Sequence, residues 1–304
     1  MSTTAQPAAA AAPRHLEVGA VALIVFLCLC WGFNQVMVKL ALPDIPPLIQ
    51  AAVRSAGGTL IVALWAWARG HSFDLRDGTL KAGLLVGLLF GLEFIFIYRG
   101  LLYTTASRAV IFLYSAPFVV VIGSRFLIPG ERFRLSQWAG LLLSFSGLIL
   151  AFGVPTPSSD PYQWLGDLMQ FVAGIVWGLT TLAVKASSLN RASAEKTLLY
   201  QLAVSTPLLA LAAVAFGERM EAMPALLPVV SLAWQTVWIV SITYLVWFMM
   251  VVKYSASRLS AFTFFTPLFG VAAGHLVLGD PITPAFAGAV ALVIAGLILV
   301  NRPK

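Results

Sequence analysis

From Val18 to Val300 the chain passes through one apolar run after another, each about as long as a bilayer is thick, and nothing else constrains its fold as much. A helical span needs about 20 mostly apolar residues to cross 30 Å of hydrocarbon at 1.5 Å per residue. Ten spans are predicted, at 18–40, 47–68, 80–102, 106–127, 135–152, 165–186, 196–216, 226–252, 256–278 and 283–300. Turn-forming stretches separate them, among them Leu42-Pro43-Asp44-Ile45-Pro46-Pro47, residues 154–161 and Gly279-Asp280-Pro281. No connection is long enough to be a soluble domain. Composition agrees: 60% of residues are hydrophobic and 10% charged, against roughly 45–50% apolar in soluble domains. The first run follows an Ala-rich polar stretch and carries Asn34-Gln35 inside it. It is too long for a signal-peptide core and is read as a span.

The net charge of +7 does not mark a nucleic-acid binder, because the basic residues stand singly at the ends of apolar runs, where lipid head groups lie. With the N-terminus inside, fourteen Lys and Arg fall on the cytoplasmic side. Five fall opposite: Lys39, Arg54, Arg99, Arg108 and Arg219. That excess predicts both termini in the cytoplasm. Cys28 and Cys30 point to nearly opposite sides of one helix, so neither a disulfide nor a metal pair is expected.

A second layer of order is internal. Trp31-Gly32, with Lys39 closing the run, returns as Trp177-Gly178 with Lys185, an offset of 177 − 31 = 146 residues. Ala106-Ser107-Arg108 returns as Ala256-Ser257-Arg258, and Pro117 as Pro267. Gly130-Glu131 followed by Gly140 and Gly147 returns as Gly279-Asp280 followed by Gly288 and Gly296. Five spans per copy is an odd number, so the second copy enters the membrane upside down. The expected organisation is a tail at 1–17, a first five-helix repeat at 18–153 and an inverted one at 162–304. The Trp-Gly starts, the acid-then-glycine pattern and the mid-span prolines resemble the EamA-type families of the drug/metabolite transporter superfamily. Within it they are similar to bacterial aromatic amino acid and paraquat exporters. The resemblance implies an all-α membrane protein with ten helices in two inverted halves around a central cavity. It also implies export across the bacterial inner membrane.

Candidate residues follow from the cost of polarity inside a bilayer. Trp31, Asn34, Gln35 and Val38 share one helix face, as do Trp177, Thr180, Thr181 and Val184, and such stripes should avoid lipid. Glu93 lies mid-span, where an ionisable group faces a cavity or a partner; its repeat-related position is Thr243, beside Tyr244. It either meets a substrate ammonium or a proton, or bonds a neighbouring helix. Tyr98, beside Arg99, and Tyr114 could set rings and hydroxyls against an aromatic solute, or belong to the interface belt. Pro117 and Pro267 each remove a backbone bond and are candidate hinges or static kinks. Lys39 and Lys185 are read as snorkelling to head groups. Gly83, Gly87 and Gly91 form a small-residue ladder for a close helix partner.

Trp31, Asn34, Glu93, Tyr98, Tyr114, Trp177 and Thr181 are thus the expected substrate contacts. Together they offer both charges of a zwitterion a partner and its side chain an apolar wall. No metal-protease, serine-elbow or phosphate-loop motif is present, and His15, His71 and His275 do not cluster. No enzyme activity, cofactor or metal is expected. The expected partners are a small solute, most simply an amino acid, and membrane lipid, with a single chain sufficing. A cationic-drug exporter, a channel and a lipid-acting enzyme stand as alternatives.

Overall fold

A computed structural model describes residues 16–70, 74–128, 134–153, 161–279 and 281–302, and they form ten helical spans. These are α1 (Val18–Ala41), α2 (Pro47–Ala68), α3 (Leu80–Gly100), α4 in two pieces (Ala106–Leu113 and Ala116–Leu127) and α5 (Leu135–Phe152). The second set is α6 (Gln163–Ala186), α7 (Ala194–Ala215), α8 (Leu226–Lys253), α9 in two pieces (Ala256–Phe262 and Phe265–Leu278) and α10 (Ala285–Asn301). Nine meet the length and hydropathy needed to cross a bilayer, and α10 is a shorter apolar helix of 17 residues. The expected tail with His15, then His71, Gly130-Glu131, 154–160 and Asp280, lie outside the described residues.

The packing obeys the repeat. α3 lies on α6 as α8 lies on α1, and α4 lies on α6 as α9 lies on α1. The pairs α2 with α7 and α5 with α10 are their own counterparts. An approximate two-fold axis exchanging the halves produces this pattern.

The Trp-Gly motif shows the symmetry at the level of atoms. A Cβ at Gly32 would stand 2.6 Å from Phe269 Cβ and 2.7 Å from the Thr266 carbonyl oxygen. At Gly178 it would stand 2.7 Å from Val119 Cβ and 3.0 Å from the Ala116 oxygen. Thr266 and Ala116 are 150 residues apart, as are Phe269 and Val119, so each glycine admits the same turn of the opposite broken helix. Without a hydrophobic drive between helices in lipid, such close backbone approach is what holds them.

Both broken spans are interrupted just before the repeated prolines: α4 at Tyr114-Ser115 and α9 at Thr263-Phe264. Pro117 has no N–H for the Leu113 carbonyl. Gly174 of α6 fits against that freed oxygen, to which a Cβ there would come within 2.5 Å. The ladder Gly83, Gly87 and Gly91 faces Tyr200, Val204 and Leu208 of α7. Gly140 and Gly147 meet the backbone of α10 at Gly296 and Ala289. Within α8, Gln235–Thr243 is π-helical, a geometry usually confined to single turns and often found at functional sites.

Candidate functional site

Trp31 is the hub. Its indole N–H donates to Thr243 Oγ1 at 2.9 Å, and its ring meets Tyr244 edge-on at 6.2 Å and Trp247 at 5.5 Å. Tyr244 in turn meets Phe90 at 6.0 Å. Glu93 is on that side of α3 and is 8% exposed. Thr243 and Glu93 are repeat-related, and Thr243 is the one that meets Trp31. The π-helical segment ends at Thr243.

On the other side, Trp247 closes with Trp177, Thr181, Pro117, Ser260 and Thr263 around a cleft too tight to hold a water. Tyr114 closes it, edge-on to Trp177 at 5.6 Å and tilted on Phe264 at 5.8 Å. Trp31, Trp177, Tyr114 and Thr181 therefore line one aromatic seam between the halves, and Pro117 is part of its wall. Tyr98 stands apart: it lies on Phe94 at 5.8 Å and packs with the apolar contact between α2 and α7. Asn34 is buried with its Oδ1 lacking a hydrogen-bond partner. Gln35, expected on the same inward stripe, is exposed beside Gly270, because α9 occupies only part of that face.

Arg54 is the residue the sequence reading misplaced. It was counted with the head-group charges, yet it is 2% exposed and stands seven residues into α2, about 10 Å by helical rise. Its guanidinium lies over the Phe94 ring at 4.2 Å. Nε and Nη2 find no hydrogen-bond partner, while the charge acts on Glu93, Tyr98 and Tyr244. The available signal was its distance from Pro47, which already put a cation inside a span.

Lys185 is a second correction. It does not snorkel: its ammonium donates to the carbonyls of Val251 and Val252 at 2.8 Å and Tyr254 at 3.0 Å. A cation there satisfies the orphan acceptors at the C-terminus of α8. Arg108, counted as a head-group charge, pairs with Asp167 of α6, its Nε donating at 3.1 Å.

The two membrane faces differ. Near the face where α6 and α8 end, the first piece of α9 packs on the second piece of α4, and α6 packs on α8 under Lys185. Among the described residues no comparable packing joins their counterparts at the other face, the first piece of α4 with the second of α9, or α1 with α3. These helix pairs are packed at one face only. Polar groups outside the spans reinforce the frame. Lys196, buried at the start of α7, donates to Asp77 at 2.5 Å. That bond, helped by Thr79, holds the Asp77 carboxyl at about 2. Glu218 accepts the N–H groups of Leu48 and Ile49, although burial still pushes its carboxyl up.

The profile described as "EamA-like transporter family" matches residues 18–153 and again 164–302. The chain is 27% identical over 92% of its length to the "Uncharacterized transporter YvbV" of Bacillus subtilis (strain 168), covering 90% of that protein. It is 26% identical to the "WAT1-related protein At3g02690, chloroplastic" of Arabidopsis thaliana, over 90% of this chain and 67% of that one. To the "Uncharacterized inner membrane transporter YedA" of Escherichia coli (strain K12) it is 18% identical, over 91% and 89%. A solved structure described as "Crystal structure of protein" superposes with a TM-score of 0.78 at 20% identity, covering 93% of this chain and 96% of that one.

Proposed function

Since this chain belongs to the EamA-like transporter family, we propose that it is a secondary transporter exporting small organic metabolites, amino acids first among them, across a bacterial inner membrane by alternating access. It is a multi-pass membrane protein and a transporter rather than an enzyme. Solute class, direction and membrane are the proposed part. The observation that carries the reading is the seam: residues of both halves meet at Trp31, and the first piece of α9 packs on the second piece of α4 while their counterparts at the other face show no comparable packing among the described residues. A two-fold structure caught in an asymmetric state has a counterpart with the roles of the halves exchanged, in which the other face closes.

The broken turns at Tyr114-Ser115 and Thr263-Phe264 are where the pieces of α4 and α9 would pivot, with Pro117 and Pro267 keeping the breaks from healing. Trp31, Asn34, Glu93, Trp177, Thr181 and Tyr114 would contact the solute in the seam. The termini would lie in the cytoplasm. Removing buried Arg54 from the head-group count sharpens that charge asymmetry.

Purified protein in liposomes tests the reading. Saturable uptake of labelled phenylalanine or leucine is expected, falling at least about tenfold in Trp31→Ala and Glu93→Gln protein that still elutes as a folded particle. Normal flux in both variants would remove the Trp31 seam from the route.

A further inference from the structure

We infer that Arg54 is the receptor for a carboxylate on the transported solute, so that the seam selects monocarboxylates with an apolar body, an amino acid being the zwitterionic case. The inference deepens the proposed function and rests on it for the route by which the solute arrives. It begins from an unusual cost: a guanidinium 2% exposed within a span, with Nε and Nη2 unbonded. A buried charge is ordinarily paired and hydrogen-bonded. Arg54 makes no ion pair among the described residues, and its contact with Phe94 covers the face of the group, leaving the donor edge unused. That edge matches a carboxylate, which accepts two parallel N–H bonds from the guanidinium fork.

Glu93 does not fill the role, although it stands at the same depth. Arg54 is seven residues from the start of α2 and Glu93 seven from the end of α3, and these ends share a face. The two make no ion pair among the described residues. An acid and a cation at one level, held apart, suit the two ends of a zwitterion better than each other. One cation with an acid close by also disfavours a dianion such as phosphate, which two cations would hold. Phe90, Phe94, Tyr244 and Trp31 give the body of the solute an aromatic wall. Arg54 lies toward the face at which α1 and α3 are not packed together.

Three probes of one skeleton separate the charges: phenylalanine, 3-phenylpropionate without the ammonium, and phenethylamine without the carboxylate. Their affinities are read as concentration-dependent thermal shifts of detergent-purified full-length protein. Wild type is expected to bind phenylalanine and 3-phenylpropionate at least about tenfold more tightly than phenethylamine. In Arg54→Gln that preference should fall to within about twofold. Arg54→Lys, which keeps the charge without the fork, should hold part of it. The wild-type comparison stands even if the Gln variant does not fold. Phenethylamine binding as tightly as phenylalanine, no probe binding, or an unchanged preference in Arg54→Gln would each overturn the assignment. Carboxylate preference without saturable flux in liposomes would uphold Arg54 and sink the amino-acid transport reading. Saturable flux indifferent to Arg54 would do the reverse.

Discussion

A tryptophan in a membrane helix ordinarily needs only an apolar slot, and Trp31 has more: a hydroxyl partner in Thr243 and two aromatic edges from the same opposing span. Thr243→Val keeps the volume and deletes the acceptor, leaving the indole N–H without its bond. It should cost about 1–3 kcal/mol of stability and weaken solute binding, both visible in one thermal-shift titration. Asp77 gives a pH prediction outside the spans. Its carboxyl is held at about 2 by Lys196, below its ordinary value of 3.8. Its contribution is therefore complete above the ordinary value and fades only as pH falls toward the lowered one. Proteolysis of the connection between α2 and α3 should be unchanged from pH 8 to 5 in wild type and faster throughout that range in Asp77→Asn.

At the scale of elements, the glycines of the Trp-Gly motif and the cap on α8 make different predictions. Gly32→Val and Gly178→Val push a side chain into the backbone of α9 and α4 respectively. Each should destabilise by about 1–3 kcal/mol, and by similar amounts, since the two sites are equivalent. Lys185→Met frees three carbonyls at the end of α8. It should loosen the closed face, so that a cysteine placed at Thr181 reacts faster with an impermeant thiol reagent added from that face. The native cysteines are both buried and should add little background.

The spans themselves were legible because length and hydropathy decide them. Those at 47–68, 135–152 and 256–278 coincide with the observed limits. The breaks in α4 and α9 were legible from Pro117 and Pro267. Arg54 and Lys185 were not, because a tally of charges by loop assigns every cation near a helix end to lipid. What redirects these two is a neighbour remote in sequence, Phe94 in one case and the α8 carbonyls in the other. The π-helical turn at Gln235–Thr243 had no signal either, since its residues read as ordinary apolar helix.

For the whole molecule, one asymmetric arrangement of two equivalent halves implies a second with their roles exchanged, and passing between the two carries solute. Spin labels at exposed Leu42 and Leu102 report the separation of α1 and α3, which are not packed together; labels at exposed Ser188 and Lys253 report that of α6 and α8, which are. Leu42 and Ser188 are 188 − 42 = 146 residues apart, the offset of the Trp-Gly repeat. Pulsed electron–electron distance measurements on both pairs in liposomes, with and without saturating phenylalanine, should show two populations each. Solute should shift the two pairs in opposite senses, one shortening as the other lengthens. Distances that stay single, or that lengthen and shorten together, would contradict alternating access through this seam.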